Sequence, residues 1–303
     1  MSGELRELRF SNARGEELAA TFQAAPSTTL TPGVLLCQGL SGVRNLVLPE
    51  VAKALATAGI ASLRFDYTGF GDSRGERGWI DPQSRVSDAE LALAALASQP
   101  EVDASRIGVY GHSYGGPIAL VLASRQAQVR ALAAVSSPGS GTDMLRAARP
   151  AWEWVALKQR LVVELNRLDQ GESPEVVPID QIFPFSPRFA AGYARLKQSQ
   201  GGTSALQGAE GLGRDAFYLA SVDRIADVNL LPVAQGLMHC PSLFISGELD
   251  DTAPIETIQP IVDAIPGVKE WMVMAGADHN SLDSDPGLHT ALASVTLWFQ
   301  SHL

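Results

Sequence analysis

GVYGHSYGG, residues 108–116, places a serine between glycines in the pattern G-x-S-x-G, at the end of the apolar run RIGVYGH and just ahead of GGPIALVLASR, a segment of helical period. A serine between a buried strand and a helix sits on a sharp turn with a strained backbone. Side chains two positions either way would collide with the neighbouring strand and helix, and Gly111 and Gly115 remove those collisions. Out of context the five-residue pattern is common and marks only a tight turn. At a strand-to-helix junction it marks Ser113 as the candidate nucleophile.

The same alternation recurs on both sides of this unit. Upstream lie GVLLCQG (33–39) before PEVAKALATAGI, and ASLRFDY (61–67) before DAELALAALAS. Downstream lie VRALAAVSS (129–137), PSLFISG (241–247), a helical segment near IQPIVDAI, EWMVMAG (270–276) and a closing helix through LHTALASVTLWFQSHL. The strand runs are apolar throughout, as strands buried on both faces of a parallel sheet must be. LRELRF and ELAATFQA read as an opening hairpin turned by NARGE. The expected fold is α/β, a mostly parallel, doubly wound sheet of eight strands.

Between 141 and 229 the alternation stops. PAWEWVALKQRLVVELNRL carries Trp154, Leu157, Leu161, Leu165 and Leu168 at steps of three and four behind Pro150, the pattern of one amphipathic helix. A loop studded with Pro174, Pro178, Pro184 and Pro187 follows, then a helix through RFAAGYARLKQ, a glycine-rich stretch and a last helix around DAFYLASVDRIADV. The chain thus divides into a core of 1–140 and 230–303 and an inserted helical lid, 141–229, over the sheet edge where strand carboxyl ends open a cleft. Trp152, Trp154, Phe183, Phe185 and Phe189 make the lid aromatic. Such residues pack against the body more often than against substrate.

Composition narrows the partners. A chain of 303 residues, 46% hydrophobic, can bury a large core. Its formal net charge of -10, broken by no basic run, repels phosphate backbones, so nucleic acid is not an expected partner. No stretch approaches ~18 uninterrupted apolar residues, so no membrane insertion is expected. MSGELRELRF lacks the apolar region of a secretory signal, which points to a cytoplasmic protein. Cys37 and Cys240 read as small core residues, and no His/Cys/Asp cluster has ligand spacing; neither disulfide, metal nor organic cofactor is expected. Oligomeric state is unreadable, since an exposed lid face and a dimer face share a composition.

A serine hydroxyl is a weak nucleophile at neutral pH; it needs a base, and the base needs a group that holds its tautomer. Of five histidines, His279 follows the EWMVMAG strand, which sets it on the same sheet edge as Ser113. His112 adjoins the serine but should point away, His239 precedes a strand at the opposite edge, and His289 and His302 lie on the closing helix. The acid belongs after another strand at that edge, where ISGELDDTAP offers Glu248, Asp250 and Asp251 in the chain order serine, acid, histidine.

With three separated motifs in this order, the chain resembles an α/β-hydrolase, a serine-hydrolase member with a lid, over about residues 5–140 and 230–302. The resemblance implies G-x-x-D-x-x-x-P after this strand, matched by Gly247, Asp250 and Pro254, and hence Asp250 as the acid. Asp251 is the close competitor and Asp143, after the preceding strand, a distant one. DYTGFGDSRG (66–75) is similar to the family's D-x-R-G-x-G-x-S loop, with Thr68 in place of the arginine; Asp66, Gly69, Gly71 and Ser73 read as loop architecture. An oxyanion hole of two backbone N–H groups is also implied. Tyr114 supplies one, and Leu40 in QGLSG (38–42) the other, with Gln38 where relatives often have histidine. Leu40 would also line the pocket floor, and Arg44 reads as solvated rather than as a clamp for a carboxylate.

These residues imply a serine hydrolase that cleaves a small or medium carboxylic ester, an apolar small-molecule acyl substrate, through an acyl-enzyme. An acyltransferase or thioesterase of a biosynthetic pathway would use the same set and pass the acyl group to an alcohol, amine or thiol. The third reading, a binding protein on the hydrolase fold, would be free to lose Ser113, Asp250 and His279. A dehalogenase or epoxide hydrolase would carry aspartate at position 113. Acid should weaken activity as His279 protonates, with a midpoint near the ordinary histidine value of ~6.5.

Overall fold

The computed structural model describes residues 3–199 and 216–303. The hairpin β1 (Leu5–Ser11) and β2 (Glu17–Gln23) opens the chain. Strands and helices then alternate: β3 (Thr31–Cys37), α1 (Leu48–Thr57), β4 (Ala61–Phe65), α2 (Pro82–Ala97), β5 (Val102–His112), α3 (Gly115–Arg125) and β6 (Val129–Val135). The inserted segment holds α4 (Gly141–Ala147), α5 (Ala151–Asp169), β7 (Val176–Pro178), α6 (Ile179–Ile182), α7 (Pro187–Ser199), β8 (Ala216–Tyr218) and α8 (Ser221–Ala226). Alternation resumes through α9 (Leu231–Gly236), β9 (Ser242–Gly247), α10 (Ile255–Ala264), β10 (Lys269–Met274) and α11 (Gly287–His302).

Eight strands form one sheet in the order β1-β2-β4-β3-β5-β6-β9-β10, antiparallel only where β1 meets β2 and β2 meets β4. Because successive side chains on a strand face opposite ways, each apolar strand feeds two cores. In β3, Leu35 and Cys37 join Leu93 of α2 and Leu120 of α3, whereas Val34 and Leu36 join Leu55 of α1 and Phe299 of α11. The chain leaves β3 for β4 on one side and reaches β5 on the other. That reversal opens a crevice at the carboxyl ends of β3 and β5, where the loop 38–46 and Ser113 lie.

The inserted segment follows the pattern for α5, whose Leu157 and Leu161 are buried while Trp152 on the far side is 72% exposed. It departs near residue 216. DAFYLASVDRIADV is not one helix: β8 pairs antiparallel with β7, and α8 starts only at Ser221. Three-residue strands are too short to show a period of two, so this ribbon left no sequence signal. The glycine-rich stretch lies outside the described residues. Among those described, no helix is long and apolar enough to cross a membrane.

Arg44 corrects a second expectation. It is buried, not solvated: its guanidinium pairs with Asp66, its Nη2 lies 2.8 Å from Asp72 and 3.1 Å from Glu7, and its own N–H donates to Asp66 Oδ1 at 2.7 Å. The Asp66 side chain has no exposed surface, and a buried carboxylate requires a cation. Arg44 supplies it. Arg44→Ala is expected to destabilise the protein by about 3–5 kcal/mol in urea denaturation, since it strands Asp66 in the core. Arg44→Met with Asp66→Asn should recover part of that loss; a single variant as stable as the wild type would contradict the pairing.

Candidate active site

Ser113 occupies the turn between β5 and α3 at φ 50°, left-handed backbone that a residue other than glycine rarely adopts. The surrounding backbone holds it there. A Cβ at Gly111 would lie 2.5 Å from the Gly115 carbonyl, and one at Gly115 only 2.1 Å from the Cys37 carbonyl, so strand, turn and helix close on each other at both positions. Ser113 N–H donates to the Val135 carbonyl of β6 at 2.9 Å.

His279 follows β10 in a turn that Asp278 caps, its carboxylate accepting from Ser281 N–H at 2.9 Å. The imidazole is buried, with Nε2 3.1 Å from Ser113 Oγ and Nδ1 2.8 Å from Asp250 Oδ2. Asp250 Oδ1 accepts from the N–H groups of Thr252 and Ala253 at 2.9 and 2.7 Å. Burial disfavours charge on both side chains, but their mutual attraction and hydrogen bond outweigh it. The Asp250 carboxyl is held below its ordinary pKa and the His279 imidazole is raised above 6.5.

Asp251 and Asp143 are both exposed, and the hydrogen bond to His279 comes from Asp250. His239 Nε2 lies 3.2 Å from the Ala123 carbonyl, near the far end of α3, and His289 and His302 sit on α11. His112 packs beside the site, its ring centre 6.4 Å from that of His279 and its Nε2 3.4 Å from Asp283. Burial pushes the His112 pKa down to about 3 and the Asp283 carboxyl up to about 7. His112 is therefore neutral at physiological pH.

Ser113 and His279 open into a cavity that Leu40, Tyr114, Phe183, Phe185, Phe189 and Tyr193 also line. The Phe189 ring stands edge-on over His279 at 5.5 Å and continues into Phe185 at 4.8 Å and Tyr193 at 5.7 Å. Of the five aromatic residues singled out in the inserted segment, Phe183, Phe185 and Phe189 thus face the cavity instead of only the body. Trp152 is exposed and Trp154 half-buried. Tyr193 was not among them, although it follows Phe189 by four residues on α7, a helical spacing that sets the two rings on one face. Arg85 was missed too: it precedes the helical segment DAELALAALAS, yet α2 already includes it, and it is buried and donates to the Gly39 and Leu40 carbonyls. Among the described residues no three His, Cys, Asp or Glu side chains are arranged to hold a metal ion.

Comparison with known proteins bears on the chain as a whole. The chain is 24% identical over 291 residues to an uncharacterized 31.7 kDa protein of Escherichia coli encoded in the traX-finO intergenic region, covering 95% of this chain and 97% of that one. It is 26% identical over 261 residues to the polyketide transferase grgF of a Penicillium species, covering 84% and 83%. The structure of DcsB in complex with its substrate analogue superposes with a TM-score of 0.83 at 20% identity, covering 99% of this chain and all of that one, a likeness of fold. Residues 32–286 match the family model for the alpha/beta hydrolase fold, and the chain belongs to that family.

Proposed function

We propose that the protein is a serine hydrolase that cleaves a small or medium carboxylic ester with an apolar acyl group through an acyl-enzyme. The observation that carries this reading is the unbroken hydrogen-bond chain from Ser113 Oγ through His279 to Asp250, at 3.1 and 2.8 Å, opening into an aromatic cavity. Ser113 Oγ attacks the acyl carbon as its proton passes to His279 Nε2. Asp250 keeps the other imidazole proton on Nδ1 and stabilises the imidazolium. The Tyr114 and Leu40 N–H groups hold the oxyanion. His279 then protonates the departing alkoxide, and a water activated by the same histidine releases the acid. The segment 141–229 acts as the lid, contributing Phe183, Phe185 and Phe189 to the acyl pocket. The test is hydrolysis of p-nitrophenyl esters of increasing acyl length. Turnover that peaks at one length supports the reading and sizes the pocket; no turnover at any length counts against it.

The similarity to a polyketide transferase favours a second reading, in which the acyl-enzyme passes to an alcohol, amine or thiol. Adding such an acceptor to the ester assay separates the two, because transfer diverts product from acid to acyl adduct at constant release of p-nitrophenol.

The pH dependence follows from the raised pKa of His279. The base must be neutral, so activity is present above that pKa and lost as the pH falls through it. The acid limb of kcat/KM therefore has its midpoint above 6.5, higher than an unperturbed histidine would give. A rate flat from about pH 5 to 8 would remove His279 from the role of base.

A further inference from the structure

The N–H of Leu40 shares a peptide group with the Gly39 carbonyl, and the N–H of Ser41 shares one with the Leu40 carbonyl. In a planar trans peptide the N–H and C=O point in opposite directions. One side chain holds both carbonyls: Arg85 donates from Nη1 to Gly39 O at 3.3 Å and from Nη2 to Leu40 O at 2.6 Å. The Leu40 and Ser41 N–H groups are thereby turned away from Arg85.

Gln38 fixes the loop from within. Its Oε1 accepts the Gly39 N–H at 2.7 Å, while its Nε2 donates to the Val43 carbonyl at 2.9 Å and also to that of Leu46. The Gly39 N–H is thus spent, which leaves those of Leu40 and Ser41 as donors. The loop stands against the serine: a Cβ on Gly39 would come within 3.2 Å of Ser113 Cβ.

Arg85 is 2% exposed, and its guanidinium lies over the faces of Tyr67 and Phe70 at 4.7 Å each. Its hydrogen-bond and ring partners are uncharged, and the Asp88 and Asp81 carboxylates, which do not bond to it, also attract the cation. An arginine keeps its charge in such a site. The positive field therefore continues along the aligned 39–40 and 40–41 peptide dipoles toward their N–H ends.

We propose that Arg85 is a positioning residue for acyl transfer: its buried guanidinium locks the peptides of residues 39–41 with their N–H groups aimed at the oxyanion and strengthens them as donors. This rests on the serine-hydrolase reading above. Arg85 touches no reacting atom and acts through the Leu40 and Ser41 amides. A lysine there would keep the charge but lose the fork that grips two carbonyls at once.

The test compares wild type, Arg85→Met, Arg85→Lys and Ser113→Ala by kcat and KM on a p-nitrophenyl ester, by Tm, and by affinity for a trifluoromethyl ketone, which forms an oxyanion-bearing adduct on the serine. Arg85→Met is expected to lower kcat and weaken ketone binding by the same factor, about 10- to 100-fold, with KM within about twofold. Arg85→Lys is expected to lose less of both, roughly 3- to 10-fold. A merely structural role would lower Tm and leave kcat and ketone affinity within about twofold of wild type, and that result overturns the proposal. Should Arg85→Met fail to fold, Arg85→Lys decides by the same two readouts. A wild type that neither turns over esters nor depends on Ser113 to bind the ketone overturns the reading of the site itself, and the role of Arg85 falls with it.

Discussion

Ser113→Ala is expected to reduce ester turnover by about 10⁴-fold or more, the scale lost when the nucleophile of a serine–histidine–acid set is removed. The variant keeps the fold. Alanine removes one oxygen from a half-buried position, while the backbone bond to Val135 and the close approaches at Gly111 and Gly115 remain. Near-wild-type affinity for a non-reacting ester analogue should therefore accompany the loss of turnover. Activity that survives within about tenfold would place the nucleophile elsewhere and leave the hydrogen bond to His279 Nε2 as a structural contact.

Asp250→Asn is expected to cost about 10⁴-fold in kcat with little change in KM. The reason is directional. Asp250 Oδ1 accepts two backbone N–H groups, from Thr252 and Ala253, so an asparagine must keep its carbonyl oxygen there. Its NH₂ then faces His279 Nδ1, where Oδ2 accepts now. A ring nitrogen facing a donor must be unprotonated, which moves the imidazole proton to Nε2. From there it points at Ser113 Oγ and can take nothing from it. Asp251→Asn is the control: Asp251 is exposed, and its removal should leave kcat within about twofold. If the two variants exchange their effects, the hydrogen bonding of this loop is assigned to the wrong carboxylate.

How much of this was legible in the sequence depends on the reach of each interaction. The sheet was readable because β3, β5, β6 and β9 carry apolar side chains on both faces and β4 on one, and the turn at Ser113 because close packing on both sides of it leaves only glycine at 111 and 115. His279 and Asp250 followed from their places after two parallel strands, since carboxyl ends of such strands share one edge. Arg44, Arg85 and Gln38 were not readable. Each satisfies groups on loops remote in sequence or on its own loop's backbone, and a polar residue in a loop or on a helix looks the same whether it faces water or a buried carbonyl. The β7–β8 ribbon escaped for a simpler reason, as its strands are three residues long. The aromatic residues of the inserted segment were visible as a composition, but which of them turn toward Ser113 depends on how α6 and α7 sit over the edge.

The cavity around Ser113 is bounded by two kinds of material. On one side are main-chain atoms of β3, β5 and α3 packed so closely that a single methyl group at 111 or 115 has no room. On the other are the interchangeable side chains of Phe183, Phe185, Phe189 and Tyr193, carried on a segment outside the sheet. The two respond differently to substitution: positions 111 and 115 have no room for a side chain, while the rings can be exchanged without disturbing the sheet beneath. A laboratory library at Phe183, Phe185 and Tyr193 would explore substrate range without altering a ring that touches His279, whereas Phe189 stands against that histidine and belongs in a separate library.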